Sequence, residues 1–215
     1  QYQMGFNGNL AQDLGECMRF ACDNLVERTF FFGDDSVGFK GFMNFPGVTV
    51  SPASTAAAGG TEWSKKTAAE MVKDINDGLA AVWTNSRGVF LPNTVFLPLE
   101  QFNLLATTPY TLGASAAVFQ SALDYVKKYN IYTNQRGKEL EIIPIRYLKN
   151  ASASDDKGRM ILQDRSKRNQ ALPFPMGYTL QAPVPVPLGA EFYSEQKHGS
   201  YVIRQPLSTL YVDGI

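Results

Sequence analysis

The residues with most chemical potential are few. The only histidine, His198, stands two positions before Ser200, an imidazole close to a hydroxyl. Acyl transfer would also need an acid to orient the imidazole and donors to hold an oxyanion. Residues of one tight turn seldom aim at each other, so a Ser/His hydrolase is the weaker alternative to a plain turn. Glu139 and Glu141 are two apart on an expected strand and share a face; an exposed edge accounts for them better than an acid–base pair. Gly33-Asp34-Asp35-Ser36-Val37-Gly38 lacks the ligand spacing of a calcium loop and is expected to be a polar helix-ending turn. Asp155-Asp156 is expected in a solvated hairpin. One histidine excludes a multi-histidine metal centre within one chain. Cys17 and Cys22 are five apart, about 140° around a helix, so no bridge joins them and both are expected to be reduced, buried thiols. Neither G-x-x-x-x-G-K-[ST] nor G-x-G-x-x-G occurs. No catalytic residue, metal ligand or cofactor follows from these residues, and no enzyme is expected.

Composition narrows the function classes further. The 215 residues carry 20 Lys plus Arg and 20 Asp plus Glu, a net charge of zero. A chain-wide basic field for nucleic acid is thereby excluded, while non-specific contact with DNA through a local patch is not. The hydrophobic fraction of 44% supports a folded core. No apolar run reaches the roughly 18 residues of a membrane-spanning helix, so no membrane partner is expected. The chain begins Gln1-Tyr2-Gln3-Met4, without a signal-peptide pattern and without methionine at position 1.

Several elements must position whatever the chain does. Leu10, Leu14, Cys17, Ala21 and Leu25 form one stripe of a helix expected over 10–31 and stopped by Gly33. Met71, Ile75, Leu79 and Val82 mark a second helix over 67–84, with Thr61 or Ser64 as its cap. A third helix is expected over 114–129, with Val118, Ala122, Tyr125 and Val126 on its apolar side. A short helix is expected over 99–106. Strands are expected at 48–50, 94–97, 139–148 and 159–163, and a closing pair at 191–197 and 200–211. Residues 51–60, rich in Ala, Ser, Thr and Gly, suggest a mobile connector. Pro173, Pro175, Pro183, Pro185 and Pro187 forbid a helix there and leave extended or edge-like backbone. Intermixed helices with strands grouped late indicate an α+β chain.

Two surfaces stand out. Arg165-Ser166-Lys167-Arg168 is the densest basic patch, either a solvated loop or a subunit contact. Phe30, Phe31, Phe32, Phe39, Phe42 and Phe45 crowd a glycine-rich loop and belong to the core or, less often, to an interface.

The order of segments resembles the tailed-phage major capsid proteins. The stretch from Asn24 to Val48 carries a spine-helix end at Gly33-Asp34, then Gly38, Gly41 and Asn44 in a Gly-x-x-Gly-x-x-Asn loop. Val82-Trp83-Thr84-Asn85-Ser86-Arg87-Gly88-Val89, Pro92-Asn93-Thr94-Val95-Phe96-Leu97-Pro98 and the ending from Arg204 to Ile215 are similar to a subgroup of these shell proteins. The resemblance implies the Hong Kong 97-type capsid fold. A peripheral domain would comprise 1–60 and 190–215 and be built on the spine helix, and an axial domain would comprise 61–189. The family's N-terminal arm and extended loop have no counterpart here, which implies a truncated or cleaved subunit. The implied function is a structural subunit of a bacteriophage head, assembled in the bacterial host cytoplasm and resident in the virion capsid. Its partners would be further copies in hexamers and pentamers, with scaffolding, portal and decoration proteins as further family partners. An encapsulin-type compartment shell, which shares the fold, is the near alternative. Arg165, Lys167 and Arg168 and the prolines Pro183 and Pro185 are the candidates for neighbour contacts.

Overall fold

A computed structural model describes residues 10–111, 120–153, 156–187 and 189–215. In chain order its elements are α1 (Leu10–Phe32), β1 (Gly33–Asp34), β2 (Phe39–Lys40), β3 (Thr49–Pro52), α2 (Ala68–Asn85), β4 (Thr94–Leu97), α3 (Leu99–Thr107), β5 (Pro109–Tyr110), β6 (Gln120–Ser121), α4 (Ala122–Lys128), α5 (Ile131–Arg136), β7 (Glu141–Pro144), β8 (Arg159–Gln163), β9 (Gln170–Ala171), β10 (Met176–Leu180), β11 (Val184–Val186), β12 (Gly189–Glu191), β13 (Ser194–Lys197), β14 (Val202–Ile203) and β15 (Thr209–Asp213). The mixture is α+β, as expected. It divides into two units, Gln1–Phe45 with Ala171–Val202 and Pro46–Gln170 with Ile203–Ile215.

The unit of Pro46–Gln170 and Ile203–Ile215 is organised by a five-stranded mixed sheet in the order β3-β15-β8-β4-β7. Strands β4, β8 and β15 are buried at every position, the pattern of strands covered on both faces. Alternation places Val95, Leu97, Met160, Leu162, Leu210 and Val212 on one face, where they join one core with Met71, Ile75, Leu79 and Val82 of α2. The approach of α2 is close: a Cβ on Gly78 would lie 2.9 Å from the Leu162 methyl carbons. The α2 stripe is buried as its spacing predicts.

The cap of α2 is Thr67, not Thr61 or Ser64. The Thr67 hydroxyl accepts from the Glu70 N–H at 3.4 Å, and Glu70 Oε2 accepts from the Thr67 N–H at 2.8 Å, a reciprocal capping box. The 51–60 stretch is tied down rather than free. Ala53 and Ala56 are buried, Ser54 Oγ bonds Asp74, and the Ala57 N–H donates to Glu70 Oε1 at 2.8 Å. Strand β7 ends at Pro144 and gives way to a 3-10 turn at Arg146–Leu148, so the strand expected over 139–148 is shorter. The expected pair of closing strands at 191–197 and 200–211 is replaced by three separate strands. β13 pairs with β10, while β15 runs antiparallel to β8 and parallel to β3 in the sheet interior. Of the helix expected over 114–129, residues 114–119, Val118 among them, lie outside the described residues. Gln120–Ser121 is a strand antiparallel to Pro109–Tyr110, and the Ser121 hydroxyl then caps α4 by accepting from the Asp124 N–H.

The unit of Gln1–Phe45 and Ala171–Val202 is built differently. Helix α1 packs against β10 through a narrow face. A Cβ on Gly15 would meet a Leu180 methyl at 3.1 Å, and Tyr178 Oη donates to the Gly15 carbonyl at 3.2 Å. At the C-terminal end of α1, Phe30 joins Phe42 and Tyr201 in an aromatic cluster, with Phe30 stacked on Phe42 at 5.5 Å and Tyr201 edge-on to both. The β10–β13 and β11–β12 pairs make a two-tier hairpin from the proline-rich stretch.

Candidate functional site

The turn after α1 explains its own sequence. Gly33 has φ +80°, and a Cβ there would stand 2.3 Å from the Phe39 carbonyl oxygen. A Cβ on Gly41 would stand as close to the Phe31 carbonyl oxygen. Only glycine permits both approaches. Asn44 then closes the loop: its Oδ1 accepts from the Gly41 N–H at 2.7 Å and its Nδ2 donates to the Phe32 carbonyl at 3.1 Å. Asp34 Oδ1 accepts from the Ser36 N–H and hydroxyl, and the hydroxyl bond holds the Asp34 carboxyl below its ordinary range. Gly38, at φ +72°, turns the chain between β1 and β2. The five positions Gly33, Asp34, Gly38, Gly41 and Asn44 thus form one turn that fixes the exit of α1.

The basic loop is held in a different way. The Arg165 N–H donates to Asn93 Oδ1, and its guanidinium faces Glu141 at 3.5 Å. Lys167 and Arg168 are exposed, and neither forms an ion pair among the described residues. Two backbone bonds, Asp164 N–H to the Ser208 carbonyl and Arg204 N–H to the Asn169 carbonyl, clamp this loop beside 204–208. Arg204 and Leu207, both exposed, therefore join the patch; no run of charge in the sequence links them to it. Burial raises the Asp164 carboxyl above its ordinary value.

Pro183 and Pro185 sit in the outer tier of the hairpin, where β11 and β12 are exposed along their length. A two-stranded ribbon without a covering layer is marginal in water, which suits a surface completed by something else.

Helix α1 departs most from expectation. Leu14, Cys17, Ala21 and Leu25 of its apolar stripe are exposed, and Cys22 is half-buried. The two thiols are free, but Cys17 is not the buried group expected. Phe20 is 70% exposed.

The remaining candidates do not assemble into a reactive centre. Ser200 Oγ donates to the Lys40 carbonyl at 3.1 Å, and the His198 ring approaches Phe174 rather than the Ser200 hydroxyl. Glu139 lies outside β7, so it and Glu141 do not share a strand; Glu141 instead accepts from the Thr94 hydroxyl. Among the described residues no group of three His, Cys, Asp or Glu side chains is placed to hold a metal. A cleft lined by Glu62, Trp63, Glu100, Gln101, Lys149 and Lys157 has its lysines paired, Lys149 with Glu100 and Lys157 with Glu62.

A protein-family model described as major capsid protein matches residues 2–215. The chain belongs to the major capsid protein family. A capsid chain of Myoviridae phage XM1 superposes with a TM-score of 0.76 at 13% identity, covering 97% of this chain and 66% of that one. A virus-like particle protein from Pyrococcus furiosus superposes with a TM-score of 0.51 at 15% identity, covering 79% of this chain and 57% of that one. The fold is therefore that of phage capsid subunits, and this chain spans less than two thirds of those chains' lengths. No curated protein matches it. Among the described residues no helix is long and apolar enough to cross a membrane. In this capsid-family chain the features missed by sequence reasoning are the uncovered face of α1 and the Arg204–Leu207 part of the basic patch. Helical periodicity finds apolar stripes but does not say what covers them.

Proposed function

We propose that the chain is the structural subunit of a bacteriophage icosahedral head. Copies associate into hexamers and pentamers and close a shell around the DNA genome. The observation that carries this is the family match over residues 2–215 together with the XM1 capsid fold. Exposed apolar side chains at Leu14, Phe20, Leu25, Val184 and Val186 support it, because apolar surface distributed over a helix and a hairpin fits many modest contacts with neighbours. We assign the peripheral role to Gln1–Phe45 with Ala171–Val202 and the axial role to Pro46–Gln170 with Ile203–Ile215, in place of boundaries at 60 and 190. Lys167, Arg168 and, less directly, Arg165 serve subunit contact, as do Pro183 and Pro185. The turn from Gly33 to Asn44 sets the direction of the spine helix. The protein has no catalytic role. Assembly takes place in the host cytoplasm, with scaffolding, portal and decoration proteins as further partners.

A compartment shell is the second reading, favoured by the Pyrococcus furiosus virus-like particle. Electron microscopy of the full-length gene product separates the two. Closed shells holding DNA mark a phage head, and small shells holding protein mark a compartment. Replacing Arg165, Lys167 and Arg168 together by Glu should abolish shells and leave the subunit folded; normal shells would refute their contact role.

A further inference from the structure

The zero net charge of the chain conceals a division. The unit of Gln1–Phe45 and Ala171–Val202 has eight carboxylates and four cations, a net of −4, and the unit of Pro46–Gln170 and Ile203–Ile215 has twelve carboxylates and sixteen cations, a net of +4. Within each unit part of that charge lies at an exposed surface. On α1, Asp13, Glu16, Phe20 and Asp23, all exposed, follow spacings of three, four and three, so they form one stripe. It faces away from Gly15, Met18 and Cys22, the side that is wholly or partly buried. Phe20, exposed at 70%, sits between Glu16 and Asp23. The stripe is an aromatic side chain in an acidic rim. The clamped loops of the other unit present the converse: Leu207, 52% exposed, beside Lys167, Arg168 and Arg204.

Resting on the shell reading above, we propose that the acidic stripe of α1 in one copy docks on the basic 164–169/204–208 patch of the next copy. The two surfaces differ in sign and belong to different parts of the chain, so we take the contact to be the heterologous, head-to-tail kind. Repetition of such a contact with closure generates rings, the geometry a capsomer needs. Phe20 is the anchor that leaves water, and the charges around it fix register and exclude the like-signed arrangement. Asp23 meets Arg19 only at 3.7 Å, with both side chains largely exposed, and Lys167 and Arg168 form no ion pair among the described residues. Opposite charge on the two surfaces selects a second copy over nucleic acid as the occupant, since a polyanion would satisfy the basic patch and leave the acidic stripe bare.

The test is a charge swap in the full-length gene product, read as shell yield by sedimentation and electron microscopy. Wild-type protein that forms no shells refutes the shell reading itself, before the swap is examined. Given wild-type shells, Glu16→Lys with Asp23→Lys should lower the yield about tenfold or more, and Lys167→Glu with Arg168→Glu should do the same. All four together should restore assembly to within about twofold of wild type. Thermal melts of the dissociated subunits check that each variant folds. Phe20→Ala, which alters no charge, should also lower the yield about tenfold, and raising salt should slow wild-type assembly. Either charge-reversed pair assembling like wild type would overturn the proposal, as would a four-fold variant no better than its parents. Normal shells that lose only their DNA on reversing Lys167 and Arg168 would place the basic patch against nucleic acid and overturn it equally.

Discussion

In the unit of Pro46–Gln170 and Ile203–Ile215, three adjacent strands are buried at every residue and α2 closes over them with Met71, Ile75 and Leu79 fully covered. In the unit of Gln1–Phe45 and Ala171–Val202, a 23-residue helix leaves Leu14, Phe20 and Leu25 in water, and the outer hairpin exposes Val184 and Val186. The contrast extends to polar groups. The sheet unit pairs its buried charges. Lys66 Nζ, with its side chain wholly buried, bonds Asp74 Oδ2 at 2.5 Å, and the same carboxylate takes the Trp63 indole N–H at 2.9 Å and the Ser54 hydroxyl. Arg159 bridges both Asp213 oxygens across neighbouring strands and lies over the Tyr211 ring. The helix unit keeps its ion pairs at the surface, as with Lys40–Asp35 and Arg19–Asp23. One region pairs its buried charges internally, and the other leaves apolar side chains and its ion pairs at the surface. On the proposed shell function, a subunit that must stay folded before assembly and associate afterwards needs both.

The sharpest way to break this comparison is within the sheet unit. Asp74→Ala strands a buried ammonium and an indole N–H, and should cost about 3–5 kcal/mol in urea unfolding. Replacing Lys66 by Met together with Asp74 by Leu should recover much of that loss; no recovery would mean the pair stabilises more than an apolar substitute. Leu79→Ala, opening a cavity under the sheet, should cost about 2–5 kcal/mol by the same measurement. In the helix unit, Gly41→Ala forces a Cβ toward the Phe31 carbonyl. It should destabilise the turn by about 1–3 kcal/mol and speed proteolysis next to Phe32. Phe20→Ala and Leu25→Ala should change subunit stability by no more than about 0.5 kcal/mol while impairing assembly. A large loss of subunit stability would show that this face is internal after all. The smallest effect concerns pH. Backbone N–H groups of Thr67 and Ala57, then the Thr67 hydroxyl, hold the Glu70 carboxyl below its ordinary value. A carboxyl lowered on folding stabilises above its unfolded pKa, and that contribution is lost as pH falls through the folded value. Melting temperatures of wild type and Glu70→Gln should therefore converge in acid and separate toward neutrality.

What the sequence made legible was mostly local. Strands β4 and β8 coincide with the stretches expected at 94–97 and 159–163, because short apolar runs between prolines or turns have few other uses. Four α2 residues at helical spacing are all buried. The Gly33-to-Asn44 pattern announced its turn because two backbone collisions demand glycine there. Non-local pairing was not legible. Nothing near residue 209 states that β15 will lie between β3 and β8, so the chain's end was expected as a closing strand pair. Lys66 and Asp74 are eight apart across a helix start, a spacing with no periodic signature. The α1 stripe was visible as apolar, yet apolar spacing alone does not distinguish an exposed face from an internal core.

The most direct measurement is amide hydrogen exchange of the full-length gene product, dissociated and in shells. Slowing on assembly concentrated in 10–32, 164–169, 176–197 and 204–208, with 94–97, 159–163 and 209–213 equally protected in both states, is the predicted result. Unchanged exchange in α1 and the hairpin, or slowing confined to the sheet strands, would contradict the division between a self-contained sheet and surfaces completed by neighbours.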